Sequence, residues 1–174
     1  MPRKSDARER AIRAAERLFC EKGYAAAGLT EILTASGAPK GSFYFHFPEG
    51  KAQLAEEVLR SYGANVAHWL ASLARRHAGD PDGFTGALCD AVAAEMMESG
   101  WGLGCAAQNI ASEVTGAEAV LADRAGEVFE SWLAEMAPAL GSRRRAMALL
   151  AGLQGARGLA RALKSREPFD ALKA

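Results

Sequence analysis

The chain has 174 residues, 49% of them hydrophobic and 24% charged, with Lys+Arg and Asp+Glu balanced at 21 each. Such a chain buries roughly two thirds of its unfolded surface, enough for one compact body or two small ones sharing a core, and its composition excludes disordered and collagen-like classes. Zero net charge carries no overall sign of a polyanionic partner, but residues 1–51 hold nine Lys/Arg against six Asp/Glu, Asp80 to Met136 holds eleven acidic residues and the single base Arg124, and from Ser142 onward eight basic residues stand against two acidic.

The opening "MPRKSDARERAI" lacks the apolar core of a secretory signal, and no run of eighteen apolar residues follows, so a soluble cytoplasmic chain with no membrane partner is expected. Helical periodicity dominates throughout, which predicts an all-α protein. A first helix is expected from Ser5 or Asp6 to Lys22, with Ile12, Ala15 and Phe19 on one face and Gly23 ending it. A second spans Leu29–Ser36 and buries Leu29, Ile32 and Leu33; Gly37-Ala38-Pro39 turns the chain into a third, from Lys40 to just before Pro48. From Lys51 to about Arg76, Leu54, Val58, Tyr62, Val66, Trp69 and Leu73 recur at steps of four, four, four, three and four, one apolar stripe. A fifth helix, Pro81 to Ser99, carries Phe84, Leu88, Val92 and Met96; "SGWGLG" is a loop, and "CAAQNIASEV" a short helix. Two long helices, about Ala117 to Ala137 and Ser142 to Lys164, are parted by "PALGS". Cys20, Cys89 and Cys105 are scattered without metal-site or disulfide spacing and read as buried thiols, so neither metal nor cofactor is expected.

Three helices within about fifty residues, the second and third joined by a tight Gly-containing turn, have the layout of a helix-turn-helix unit, whose third helix enters a DNA major groove. From Ala35 to Phe47 there is no acidic residue. Phe43 and Phe47, four apart, are expected to face the core, while Lys40, Ser42, Tyr44 and His46 project toward solvent or phosphate. Gly41, lacking a Cβ, allows close approach to a groove at a helix-propensity cost of about 1 kcal/mol. On pattern alone, an ordinary aromatic core element remains the alternative.

The run Leu29, Ile32, Gly37, Gly41, Ser42, Phe43, Tyr44, His46, Phe47, Lys51 and Leu54 resembles the signature of the TetR family of one-component transcriptional regulators. The resemblance covers residues 8–60, and "GCAAQNIASE" with "LQGARGLARALKSREPFDAL" is similar to the ligand-binding half of the LmrA/YxaF-type branch. It implies a helix-turn-helix DNA-binding domain over 1–51 and a helical ligand-binding and dimerisation domain over 52–174. It further implies that Lys40, Gly41 and Ser42 open the recognition helix, that Tyr44, His46 and Lys51 meet phosphates, and that Thr30 touches DNA from the second helix. The Ser/Thr common at the start of that second helix is Gly28 here, so its cap is weaker by a few tenths of a kcal/mol at most.

One helix-turn-helix reads too few base pairs to find a genomic site, so a second copy is expected, with half-sites about 34 Å apart or a multiple. In the last helix Gly152, Gly155 and Gly158 recur at steps of three beside Leu149, Leu153, Ala156, Ala160 and Leu163. The last two helices are therefore expected to form the dimer seam, with Trp132, Leu149, Gly152, Gly155, Ala156 and Leu159 as candidates; intrachain packing is the alternative. Trp69, Phe84, Met96, Met97, Trp101, Cys105 and Asn109 combine apolar surface with a few polar groups, as a small-molecule pocket or an ordinary core would. No catalytic motif accompanies His46, His68 or His77. The expected function is a homodimeric repressor that leaves a palindromic operator when a small effector enters the C-terminal half; a helical protein-interaction scaffold, and less an enzyme, are the alternatives.

Overall fold

The structure, a computed structural model, describes residues 4–173. Residues 1–3 and 174, which the expected spans 1–51 and 52–174 include, lie outside the described residues. The described chain is helical: α1 (Lys4–Lys22), α2 (Leu29–Ser36), α3 (Lys40–His46), α4 (Lys51–Arg76), α5 (Pro81–Glu98), α6 (Ala106–Glu113), α7 (Val120–Leu140), α8 (Arg143–Leu163) and α9 (Glu167–Asp170), with 3-10 turns at Gly116–Glu118 and Ala171–Lys173. It packs as two compact units whose borders fall inside α4 and α7: one runs to Gly63 and takes in Cys105–Val128, the other comprises Ala64–Gly104 and the chain from Phe129.

In the first unit α1 earns its length from i,i+4 ion pairs, Asp6 with Arg10, Glu9 with Arg13 and Arg17 with Glu21, each adding a few tenths of a kcal/mol to the helix. Its other face sends Ala11, Ala15, Leu18 and Phe19 into the core. The guanidinium of Arg10 also donates to the Ser36 carbonyl at 3.0 Å, tying α1 to the end of α2. There Gly37 holds φ at 61°, a left-handed value that ends the helix, and the Ser36 hydroxyl accepts from the Ala38 N–H at 3.2 Å. The turn into α3 is thus fixed by its own side chain. At the start of α2, Gly28 provides no side-chain cap, as its composition requires. The core of α2 is Ile32, whereas Leu29 and Leu33 are only half-buried and Ser36 takes the inner position expected for an apolar residue. A short helix has room for one fully enclosed residue per turn.

In the second unit, Asp80 caps α5 by accepting the Gly83 N–H at 2.9 Å, and Phe84, Leu88, Val92 and Met96 face inward at helical spacing as expected. Ser142 caps α8 by accepting from the Arg145 N–H, and Leu149, Leu150, Leu153, Ala156 and Ala160 line its inner face. Two boundaries differ from the sequence reading. α7 starts at Val120, after a 3-10 turn, and continues through Pro138 to Leu140, since the proline sacrifices one bond, to Ala134, which is exposed where water can substitute. Beyond Lys164 the chain forms α9 and a 3-10 turn where none was expected, burying Phe169 completely. Arg166 and Lys173 both reach Asp90 on α5 and Asp170, closing this tail onto the unit.

Phe43→Ala should lower the unfolding free energy by about 3–5 kcal/mol, because the ring it deletes is fully enclosed. Urea denaturation measures it; a loss under about 1 kcal/mol would mean that α3 is held by something else.

Candidate nucleic-acid interface

α3 is seven residues long and cannot be stable alone in water, so its geometry follows from what it buries. Phe43 and Phe47 are each 1% exposed, with ring centroids 5.1 Å apart. Arg8 lies 6.0 Å from the Phe47 ring while pairing with Glu57 of α4 at 2.7 Å, so the core side of α3 is held by both neighbours. The remaining sides carry the surface. Lys40, Gly41 and Tyr44 are exposed, Ser42 and His46 half-buried, and Thr30 is exposed on α2. A Cβ at Gly41 would meet nothing within 4 Å, which leaves the backbone there open to a close partner. The structure therefore brings the expected residues of α2 and α3 onto the outer faces of these two helices. It adds Phe45, 69% exposed and edge-on to the His46 ring at 5.2 Å, to which the sequence reading assigned no role.

Lys51 is placed differently from the other basic residues. Its ammonium lies 4.3 Å from the centroid of the Tyr24 ring and donates to the Ala25 carbonyl at 3.5 Å. The Tyr24 hydroxyl in turn donates to Glu118 at 2.8 Å, and Glu113 at the end of α6 accepts the Ala25 N–H at 2.6 Å. Gly23, at φ 90°, lies directly under that carboxylate, where a Cβ would overlap it. Asn109 of α6 donates to the Phe19 carbonyl at 2.7 Å, one turn before the end of α1. The α1–α2 turn and the first residue of α4 are thus gripped by α6 and the turn after it. Burial, and then the bond to Glu118, push the Tyr24 phenol well above its usual range. Burial lowers the Lys51 ammonium, against an opposing pull from Glu118 and Glu113.

The candidate effector residues separate. Trp69, Phe84, Met97 and Trp101 belong to the second unit, Cys105 and Asn109 to the first. Phe84 is fully enclosed and Cys105 is 2% exposed, whereas Met97 is 48% exposed, and the Asn109 amide is spent on a helix-end carbonyl. The candidate seam residues separate too. Trp132, Leu149 and Ala156 are enclosed within the second unit, Trp132 edge-on to Phe129 at 5.3 Å, because the apolar periodicity that singled them out describes the chain's own core. Gly152 faces inward, where a Cβ would lie 2.7 Å from Leu172, so its smallness serves the C-terminal tail. Gly155 and Leu159 stay on the outside, with Gly158, Ala162 and Leu163 beside them. Among the described residues no group of His, Cys, Asp and Glu could hold a metal ion, and no helix is long and apolar enough to cross a membrane.

The sequence matches the family described as bacterial regulatory proteins, tetR family, over residues 11–58, and the LmrA/YxaF-like transcriptional regulator C-terminal domain over residues 84–174. The HTH-type transcriptional regulator LmrA of Bacillus subtilis is 56% identical over 54 residues, 31% of this chain and 29% of that protein. The HTH-type regulator YxaF of the same organism is 46% identical over 70 residues, 40% of this chain and 37% of that protein. These alignments thus span about a third of each relative. The crystal structure of regulatory protein TetR from Rhodobacter sphaeroides is 25% identical, with a TM-score of 0.79 over 95% of this chain and 94% of that one.

Tyr24→Phe should lower stability by about 1 kcal/mol at neutral pH, through loss of the bond to Glu118. Because the phenol titrates higher in the folded than in the unfolded chain, its contribution is intact below about pH 10 and lost as pH rises through the folded value. The lowered Lys51 acts with the opposite sign, but in both proteins alike. Urea melts at neutral and strongly alkaline pH should therefore show the wild type losing its advantage over Tyr24→Phe; a constant gap would contradict this assignment.

Proposed function

Because this chain belongs to the TetR family of bacterial regulatory proteins, in its LmrA/YxaF-like branch, we propose that it is a homodimeric DNA-binding repressor, cytoplasmic, which a small effector releases from a palindromic operator. The observation that carries the reading is the outer face of α3: a helix fixed by two enclosed phenylalanines, with no acidic residue and with Lys40, Gly41 and Tyr44 exposed. A partner rich in phosphate and shaped to admit a helix suits that face. Regulators of this family are not enzymes, and the reading needs no catalytic group.

In this reading residues 1–51 are the DNA-binding segment and 52–174 the effector-binding and dimerising part. Lys40 and the amides of Gly41 and Ser42 enter the groove, Tyr44 and His46 meet flanking phosphates, and Thr30 approaches from α2. Phe45 joins them as an exposed ring able to lie against sugar or a thymine methyl. Lys51 reaches a phosphate from its place above Tyr24, and exchanges the pull of Glu113 and Glu118 for that of DNA as it does so. The second copy meets the outer stripe of α8, where Ala151, Gly155, Gly158 and Ala162 are exposed and small, beside Leu159 and Leu163 at 57% and 61% exposure. Small residues let two such helices approach closely, and the flanking leucines supply apolar area. Release follows when the effector favours a dimer whose two α3 helices no longer match the half-site spacing, since a ligand shifts the balance only by its unequal affinity for the two states.

Selection from a random duplex pool should return a two-fold symmetric site with half-sites about one helical turn apart or a multiple. Lys40→Ala should weaken binding to all sequences and reduce the salt slope by about one unit. An unchanged slope, or no duplex retained at low salt, would overturn the DNA assignment. Leu159→Arg should turn the dimer into a monomer in sedimentation velocity and weaken operator binding; an intact dimer would move the seam elsewhere.

A further inference from the structure

Gln154 and Arg157 lie three residues apart on α8, on the same side of the helix. The Gln154 Oε1 and the Arg157 Nη1 are both shut off from solvent, and both lack a hydrogen-bond partner. The Arg157 side chain is only 13% exposed, and its Nη2 pairs with Glu95 of α5 at 3.1 Å, so the guanidinium is held with its unused nitrogen turned inward. Folding gains nothing from this pair. Buried polar atoms without protein partners are disfavoured and uncommon, and two such atoms one helical turn apart offer one acceptor and one donor.

A second observation falls in the same unit. Trp101 holds φ at 67°, a left-handed value that a bulky residue rarely adopts, directly after Gly100 at 62°. Its N–H closes the turn that ends α5 on the Met96 carbonyl at 2.6 Å, as Gly100 does on Met97, and the carbonyl of the next residue, Gly102, accepts from Arg161, one turn beyond Arg157 on α8. A strained segment is thus pinned to the same helix that carries the unused donor and acceptor. Strain of this kind persists where surroundings enforce it, and it concentrates around ligand sites.

From these features we propose that Gln154 and Arg157 form the polar anchor of the effector site, and that the effector is an uncharged molecule with a neighbouring donor and acceptor on an apolar body, such as a carboxamide or a hydroxy-carbonyl compound. The donor goes to the Gln154 oxygen, the acceptor to Arg157 Nη1. Glu95 already balances the Arg157 charge, so a carboxylate ligand would enter without a free counter-charge and beside an acidic residue. A cation would meet the guanidinium. An apolar body would lie along α5 and α8, whose inward faces carry Leu88, Val92, Met96, Leu150 and Leu153, and would have to part these enclosed side chains to enter. The proposal rests on the reading of this half as the effector-binding part, and it names the chemistry that part selects.

Calorimetric titration of the full chain with benzamide, benzoate and benzylamine tests it. Benzamide should bind, with the two charged analogues weaker by about tenfold or more. Gln154→Leu and Arg157→Met should each weaken benzamide by about tenfold or more while leaving the circular dichroism and operator affinity unchanged. Gln154→Leu should also raise the melting temperature of the ligand-free protein by roughly 2–4 °C, because it removes an enclosed oxygen that nothing satisfies. Benzamide binding that is absent at millimolar concentration or equal in all three proteins, benzoate binding as tightly as benzamide, or a melting temperature that falls in Gln154→Leu, as it would if a fixed water bridged the two atoms, would overturn the anchor. Absence of duplex binding by the wild type would instead refute the DNA reading and leave the titration result standing.

Discussion

A helix of seven residues has too few internal bonds to exist by itself, and the usefulness of α3 depends on that weakness being made good by two rings. Phe43 and Phe47 fix the axis and rotation of the helix at once, because residues four apart occupy one side, and every other side chain is then aimed by default. The exposed positions are thereby free to be chosen for their partner. Glycine at 41, costly in helix propensity, is tolerated because the anchor does not depend on it.

The grip on the α1–α2 turn works by different means. Glu113 and Glu118 reach an amide proton and a phenol of the helical reader that would otherwise need water, and Asn109 adds a second donor to the Phe19 carbonyl, which already accepts from the Gly23 N–H. These are polar contacts with defined directions, so a small shift of α6 would break them rather than stretch them. Lys51 stands at their centre, stacked on Tyr24 and drawn by both carboxylates. A charge held that way is available to a phosphate only as far as the carboxylates release it.

Much of this was legible in the chain itself. The order of the first three helices, the glycine turn and the absence of acid from Ala35 to Phe47 are local properties, and local properties are what periodicity and turn chemistry report. The partners of Tyr24, Ala25 and Phe19 were not legible, because Glu118, Glu113 and Asn109 stand about ninety residues away in sequence. Asn109 looked like a ligand-reading amide for the same reason: a single sequence shows that a polar side chain is present, not what it bonds. On α8 the heavier apolar pattern at Leu149, Leu153 and Ala156 marked the chain's own interior, and the faint pattern of alanines and glycines one step round the helix marked its outside. Phe45 escaped notice because aromatic content says nothing about direction without the register of the helix.

The tail has a consequence for how the molecule comes into being. Phe169, just after α8, fills the second unit, Leu172 occupies the notch at Gly152, and Lys173 reaches back to Asp90. The first unit likewise waits for Cys105–Val128. Neither body can close until these later segments have left the ribosomal exit tunnel, so the amino-terminal helices emerge well before the pieces that complete them. Maturation is set by contacts of long sequence separation, which form late and slowly.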